Sequence, residues 1–159
     1  MWLMCSCFMI KINASNKLIE ILKNYNISLD ALQYTLSFIL QIYTQKRIIK
    51  VTNKEFELKI ICRKSDSNYA LYDFDSKKII ICSACIDNKN NFISSLLHEF
   101  RHWIQHTIDN ISPLAILSKG IKYENNAYEQ QCVQFENDLT DPTLITIEQY
   151  NKIYNHFNK

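Results

Sequence analysis

One short segment near the middle of the chain has the residue types and the spacing of a metal-dependent hydrolytic site. The segment "LLHEFRHWIQ", residues 96–105, contains the pattern H-E-x-x-H. On a helix, a spacing of four places His98 and His102 one turn apart on the same side, where both imidazoles can reach one ion. Glu99 lies at the edge of that face, within reach of a water activated by the ion. The pattern predicts a zinc ion bound by His98 and His102, with Glu99 as general base.

The surrounding sequence supports a helix that could present this pattern. A helical wheel gathers apolar residues on one broad face: Ile93, Leu96, Leu97, Phe100, Trp103, Ile104 and Ile108. It gathers polar residues on the opposite face: Asn91, Ser94, Ser95, His98, Arg101, His102 and Gln105. The apolar face is expected to hold the helix against a core, so that the polar face borders a cleft, with Arg101 and Gln105 at its flanks.

A catalytic zinc site needs a third protein ligand, and the next predicted helix offers three glutamates. From Glu124, the inward positions of a helix are occupied by Ala127, Tyr128, Cys132, Phe135 and Leu139. Glu124 therefore opens the inward face, in a first turn where an anion is favoured. Glu129 and Glu136 fall toward the other side and are interpreted as solvated charges. Two alternatives stay open: Glu124 as a helix cap, and Glu129 as the ligand if the helix starts elsewhere.

Together these residues resemble a zincin metallopeptidase of the gluzincin kind. "HEFRH" lies on one predicted helix, and Glu124 and Ala127 in "YENNAYEQQ" match an E-x-x-A pattern on the next. The combination is similar to the compact ImmA/IrrE-type and phage-encoded minimal zincins, and "LLHEFRHWIQ" is similar to "HELRHAWQ"-like helices of small phage and viral proteins. The resemblance covers about residues 69 to 136. The segment "ENNAYEQQC" departs from it, because it lacks the small and acidic residues common beside the alanine.

The resemblance implies a zinc peptidase acting on a protein or peptide. His98, His102 and Glu124 would bind Zn²⁺, and Glu99 would be the general base. It also implies that the strand before the active-site helix, "KKIIICSA", forms the sheet edge with which a substrate peptide pairs. A residue that assists the reaction is not identified, and Tyr123, Tyr128 and Arg101 remain candidates.

The order of predicted elements indicates one α+β domain spanning residues 1–159. N-terminal helices are expected at about 14–46, a small, mainly antiparallel sheet at about 47–84, the active-site helix at about 91–109 and the third-ligand helix at about 124–139. The predicted strands are "RIIKV", "EFELKIICRK", "NYALYDF" and "KKIIICSA", with "DFDSKK" as a hairpin turn. An earlier strand is expected in "CFMIKI". A final helix is expected from about 147, with Thr146 and Gln149 as a capping box.

Composition limits the partners and the compartment. A hydrophobic fraction of 47% with 21% charged residues is typical of a globular protein. The net charge of +2 is spread along the chain without a basic run, which argues against nucleic acid as a partner. The apolar start "MWLMCSCFMI" lacks a basic leader and is too short to span a bilayer, so we expect a cytoplasmic protein that neither enters a membrane nor is secreted. The oligomeric state stays open.

Cysteines suggest a second metal site, and the main site has two rival interpretations. Cys82 and Cys85 form C-x-x-C and Cys5 and Cys7 form C-x-C, so a thiolate site is one option, although "IIICSAC" also fits the end of a buried strand. The H-E-x-x-H site could instead belong to a non-catalytic zincin-fold binding or effector module. It could also be purely structural, which would require a fourth protein ligand such as His106 or a cysteine.

Overall fold

The computed structural model describes residues 8–45, 55–64, 70–83, 86–117 and 120–157. The strands are β1 (Met9–Ala14), β2 (Glu55–Arg63), β3 (Ala70–Asp73) and β4 (Lys78–Cys82). The helices are α1 (Asn16–Asn24), α2 (Leu29–Gln45), α3 (Lys89–Thr107), α4 (Pro113–Leu117) and α5 (Ala127–Phe157), with a 3-10 turn at Tyr123–Asn125. The α+β class is confirmed. The predicted strand "RIIKV" lies outside the described residues.

Three helices begin at polar residues whose side chains accept hydrogen bonds from the first turn. The backbone N–H of Leu18 donates to Ser15 Oγ at 3.3 Å, and that of Ala31 donates to Ser28 Oγ at 3.0 Å. Asn88 caps α3 in the same way, accepting from the N–H of Asn91 at 2.9 Å. Such caps satisfy donors that have no partner within the helix. The predicted positions of α1, α2 and α3 are therefore confirmed to within a few residues.

The sheet is mixed rather than mainly antiparallel, so that prediction is wrong. Its strand order is β1-β2-β4-β3, in which β1 pairs parallel with β2 and β2 pairs parallel with β4. Because α1 and α2 carry the chain back across the sheet, β2 can run in the same direction as β1. Among the strands that the structure describes, the predicted hairpin of β3 with β4 is the one antiparallel pair. Its turn includes Lys77 at φ 49°, and the Asp73 carboxylate accepts a hydrogen bond from Ser76.

The two outer strands of the sheet, β1 and β3, have different surroundings. Along β1, the backbone N–H of Ile10 donates to Ser37 Oγ and that of Ile12 donates to Gln33 Oε1, each at 2.9 Å, so α2 satisfies this edge. At the other end, β3 is the last strand among the described residues and lies beside α3. The strand "KKIIICSA" was expected to be the edge, but as β4 it is enclosed between β2 and β3.

The last helix is longer than predicted. α5 runs without interruption from Ala127 to Phe157 and contains Pro142, so the expected end near 139 and the separate helix from 147 are wrong. The Thr146 hydroxyl donates to the Pro142 carbonyl at 2.8 Å instead of capping a new helix. Thr143 and Ile147 are buried, and the apolar spacing continues past the proline. Packing therefore holds the helix together where a helix break was expected.

Helix α3 lies at the centre of the core. Phe92, Leu97, Phe100, Trp103 and Ile104 are each at most 1% exposed, and they belong to one apolar cluster that also contains residues of all four strands and of α1, α2 and α5. The predicted apolar face of α3 is thus confirmed. Within the described residues, no helix combines the length and the apolar composition needed to cross a membrane.

Candidate metal centre

Helix α3 brings the two histidines and the glutamate of the H-E-x-x-H pattern to one place. The rings of His98 and His102 lie one turn apart, with centroids separated by 5.2 Å. His102 and Glu99 are buried, at 6% and 8% exposure, and all three residues line one cavity. The predicted pairing of the histidines is therefore present in the structure.

The carboxylate that meets them belongs to Glu129. Its Oε2 lies 3.3 Å from Nε2 of His98 and 3.4 Å from Nε2 of His102. Asn126 places Glu129 in the first turn of α5: its Oδ1 accepts from the N–H of Tyr128 at 3.0 Å, and its carbonyl accepts from the N–H of Gln130. Glu129 had been considered only as an alternative ligand.

Glu124, the predicted third ligand, is not brought to this point. It is exposed in the 3-10 turn and is not among the residues that line the cavity. The helix that was expected to begin at about 124 begins at Ala127, because Asn126 is extended, with φ −79° and ψ 110°. Glu124 therefore lies outside α5, whereas Glu129 lies in its first turn.

In each imidazole ring, the nitrogen that does not contact Glu129, Nδ1, lies close to a side-chain oxygen. His98 Nδ1 lies 3.3 Å from Oε2 of Glu136, and His102 Nδ1 lies 3.0 Å from Oε1 of Gln105. Both Nε2 atoms are thereby aimed at Glu129. Metal-binding histidines almost always have their other nitrogen held by an oxygen in this manner.

The distances fit a tetrahedral ion. Two ligand atoms bonded to one tetrahedral zinc ion at about 2.0–2.1 Å lie roughly 3.3–3.4 Å apart. The two Nε2 contacts to Glu129 are 3.3 and 3.4 Å. Two imidazole nitrogens and one carboxylate oxygen are also a donor set found in catalytic zinc sites. These two distances and the donor types are compatible with Zn²⁺, and they make Glu129 a candidate third ligand.

Cys132 is a second neighbour of the histidines. Ligand atoms of His98, His102 and Cys132 all lie within 4.8 Å of one another, so this trio could also hold a metal ion. The Sγ atom lies 3.4 Å from His102 Nδ1, the nitrogen that Gln105 also contacts. Burial, followed by the nearby charge of Glu129, raises the pKa of the thiol, which disfavours the thiolate that a metal requires. Distance therefore admits Cys132 beside the two histidines, whereas the raised pKa of its thiol favours Glu129 as the ligand.

The ionisable groups at the centre shift one another's pKa values. Burial alone would lower the pKa of His98, but the carboxylates of Glu129 and Glu136 outweigh it and raise the pKa to about 10. Burial alone would raise the pKa of Glu129, but its contacts with His102 and His98 lower it to about 2. An ion entering the centre therefore meets an ionised carboxylate and must displace a proton from His98.

Glu99 has the environment of a general base. Burial raises its pKa, while the two histidines and the backbone N–H of Tyr72 act in the opposite direction. Tyr72 belongs to β3, so this carboxyl group lies between α3 and the edge strand. A carboxylate with a raised pKa is a stronger proton acceptor than an ordinary one.

The cavity in front of the centre is about 600 Å³ in volume. One wall is β3 with its turn (Ala70, Leu71, Tyr72, Phe74), a second is the start of α3 (Asn91, Ser94, Ser95), and a third is α4 with the following turn (Ile116, Leu117, Tyr123). Among the described residues that line the cavity there is neither Lys nor Arg.

Of the three candidates for a residue that assists the reaction, the structure brings only Tyr123 to the cavity. Burial, followed by the charge of Glu129 and a hydrogen bond with it, raises the pKa of Tyr123 to about 12. Arg101 and Gln105, which were expected to flank the cleft, are instead buried beneath it at 4% and 0% exposure. They face α5, which packs on the side of α3 that the wheel had marked as polar.

Two further candidate metal residues that the structure describes, His106 and Cys82, do not join this centre. His106 Nδ1 lies 3.1 Å from the Tyr72 hydroxyl, and its ring packs against Phe74. Cys82 is buried in β4, and Cys5, Cys7 and Cys85 lie outside the described residues. Among the described residues, His98, His102 and Cys132 form the one group of potential metal ligands whose ligand atoms all lie within 4.8 Å of one another.

Comparisons with protein-family models, with curated proteins and with solved structures found no match for this chain.

Proposed function

We propose that the chain is a zinc-dependent peptidase in which His98, His102 and Glu129 bind the ion and Glu99 is the general base. The observation that carries the proposal is the convergence of both Nε2 atoms on Glu129 Oε2, at 3.3 and 3.4 Å. A helix with H-E-x-x-H and a later helix that supplies a glutamate are also what the resemblance to gluzincins implies. The proposal keeps that ligand type and moves it from Glu124 to Glu129.

Each residue has a separate task in peptide hydrolysis. Zinc in such a site acidifies a water molecule and polarises the scissile carbonyl. Glu99 accepts the proton of the attacking water and returns it to the leaving amine nitrogen. The Tyr123 hydroxyl, in the cavity wall, is the group we assign to donate to the oxygen of the reacting carbonyl. Removing this donor is expected to lower kcat more than it raises KM.

The position of β3 supports a peptide as substrate. Its residues Ala70, Leu71 and Tyr72 form a wall of the same cavity as Glu99. An extended peptide placed along this edge would gain backbone hydrogen bonds, while the cavity would receive its side chains. Its scissile bond would then lie beside Glu99, because that carboxylate accepts a hydrogen bond from the backbone of Tyr72.

The direct experiment combines metal analysis with a hydrolysis assay on an unfolded protein mixture. The Glu99→Gln variant should retain about one equivalent of zinc and lose activity by about 10²-fold or more, because proton transfer contributes at least that much. Glu124→Ala provides a matched control that should retain both zinc and activity. If Glu99→Gln lost its zinc, or kept its activity, the assigned role of Glu99 would be wrong.

Cys132 supports a rival function, a closed and non-catalytic metal centre within a binding module. Its Sγ lies within 4.8 Å of ligand atoms of both histidines, so it could complete a four-ligand site. The Cys132→Ala variant separates the two functions. The peptidase should keep its zinc and its activity without this thiol, whereas a closed centre should lose zinc, and its natural form should show no hydrolysis.

A further inference from the structure

We infer that Gln105 is a positioning residue that fixes the tautomer of His102. It holds the proton on Nδ1 and so leaves the lone pair of Nε2 directed at Glu129. The inference deepens the proposed metal site and rests on it, although the tautomer can be measured without metal or substrate.

Gln105 is enclosed and its amide group is fully engaged. The residue is 0% exposed. Its Oε1 lies 3.0 Å from His102 Nδ1, while its Nε2 donates to the backbone carbonyl of Tyr128 at 3.0 Å and to Gln131 Oε1 at 3.2 Å. The Cys132 thiol donates to the same Oε1 at 3.8 Å, so four partners surround one buried amide.

The Tyr128 carbonyl determines which way this amide points. A backbone carbonyl only accepts hydrogen bonds, so it requires the NH₂ group of Gln105 on its side. Turning the amide over would place Oε1 against the carbonyl of Tyr128 and would leave buried acceptors facing each other, which is costly. Oε1 is thus left facing His102 Nδ1 at 3.0 Å and the Cys132 thiol at 3.8 Å, and the shorter contact is a hydrogen bond only if Nδ1 carries the proton.

Arg101 supports the same orientation of the Gln105 amide indirectly, through Gln131. A guanidinium group only donates, and Arg101 Nη2 donates to Gln131 Oε1 at 3.0 Å. The same oxygen accepts from Gln105. Arg101 is itself held by Asp109 at 3.2 Å and lies over the ring of Tyr43, 4.8 Å from its centroid. A chain of side chains with fixed donor and acceptor ends therefore runs from α2 to His102.

The helix supplies this arrangement because Gln105 follows His102 by three residues, on the same side of α3. A neutral imidazole binds a metal through the nitrogen that lacks the proton. With the proton on Nδ1, Nε2 is ready for the ion. Glu136 performs the equivalent task for His98, at 3.3 Å from its Nδ1.

The tautomer can be measured by ¹⁵N NMR of the metal-free chain at a pH where His102 is neutral. In the natural protein, Glu129 offers a competing acceptor at Nε2, so the measurement is made with Glu129→Ala. We expect the proton on Nδ1 in this variant, and on Nε2 once Gln105→Met is added. Gln131→Met is the matched control and should keep the proton on Nδ1, since the Tyr128 carbonyl remains. A proton on Nε2 in Glu129→Ala alone, or no change with Gln105→Met, would overturn the inference.

Zinc affinity provides a second readout, which is measured in variants that retain Glu129. Gln105→Met should weaken zinc binding about 10–100-fold, as the loss of an orienting partner does. Gln131→Met should weaken it much less. Denaturant unfolding of the metal-free variants is measured in parallel, and lowered stability with unchanged zinc affinity would reduce Gln105 to a structural role and contradict the inference. Absence of hydrolysis in the natural chain would refute the peptidase but leave the tautomer result standing.

Discussion

Oε2 of Glu129 lies 3.3 Å from Nε2 of His98, although 31 residues separate them in the chain. His98 is in the middle of α3 and Glu129 is in the first turn of α5, so this contact exists only when the two helices are packed together. The candidate metal centre is therefore a product of tertiary structure, and each of its parts can be tested separately.

Replacing Glu129 with Ala should weaken zinc binding by more than the roughly 10–100-fold that loss of an outer partner costs, because it removes a direct ligand. Glu124→Ala changes the same residue type five positions earlier, at an exposed site, and should bind zinc like the natural chain. A competition titration with a chromophoric chelator gives both affinities. Weak binding by Glu124→Ala together with unchanged binding by Glu129→Ala would restore the original ligand assignment.

Zinc affinity should rise with pH. The pKa of His98 in the metal-free protein is raised to about 10, so the folded chain holds this proton at neutral pH and the ion must displace it. The pKa of Glu129 is lowered to about 2, so this group adds no proton to the exchange. The apparent affinity should therefore increase about tenfold per pH unit for the His98 proton and level off above its pKa. Titrations from about pH 6 to about pH 9, with proton release measured by calorimetry in two buffers, test this slope. An affinity independent of pH in that range would contradict it.

Arg101→Met should lower the free energy of unfolding by about 3 kcal/mol, because it removes the buried ion-pair partner of the Asp109 carboxylate, which keeps the hydrogen bond from the Tyr43 hydroxyl. Both side chains of this pair are 5% exposed, and their atoms lie 3.2 Å apart. The pair Lys89–Glu148 is a suitable comparison, since the Glu148 side chain is 60% exposed. Glu148→Gln should cost no more than about 1 kcal/mol. Urea unfolding of the metal-free variants measures both, and equal effects would show that burial of Arg101 does not matter.

Removing zinc should lower the thermal stability of the natural chain. An ion that binds the folded state alone stabilises it by about 2.7 kcal/mol when its free concentration is 100 times the Kd. Adding a chelator should therefore lower the Tm, and returning zinc should restore it. The Glu99→Gln variant should show the same shift, since its ligands are intact, whereas Glu129→Ala should show little. An equal chelator effect in Glu129→Ala would place the ion elsewhere.

The sequence predicted the parts of the site that lie on a single helix. The i, i+4 spacing placed His98 and His102 together, and the apolar face of α3 was identified from its period. The third ligand was missed because its position depends on where the next helix starts. A signal for that start was present: Asn126 followed three residues later by Glu129 is a typical helix-capping pattern.

Other features depended on tertiary contacts that no local pattern encodes. Arg101 and Gln105 were assigned to a cleft because a helical wheel distinguishes polar from apolar faces. A polar face can contact either water or a second helix with matching polar groups, and the wheel does not tell these two cases apart. The direction of β1 was missed for a similar reason: a strand's period shows which residues alternate, while its partner and direction depend on the helices that connect it. Thr146 and Gln149 suggested the start of a new helix, but α5 continues through this region, where Ile147 is buried.

The two sheet edges carry a consequence for self-association. Open strand edges tend to template pairing between copies of a chain, and proteins restrain this by covering an edge or keeping it short. Here Ser37 and Gln33 occupy backbone donors of β1, while β3 has four residues and faces a walled cavity. An incoming peptide can reach β3 as a single strand, whereas a second folded copy would meet the walls first. The proposed peptidase function calls for an open edge at β3, and the shortness of this strand and the cavity walls limit self-association there.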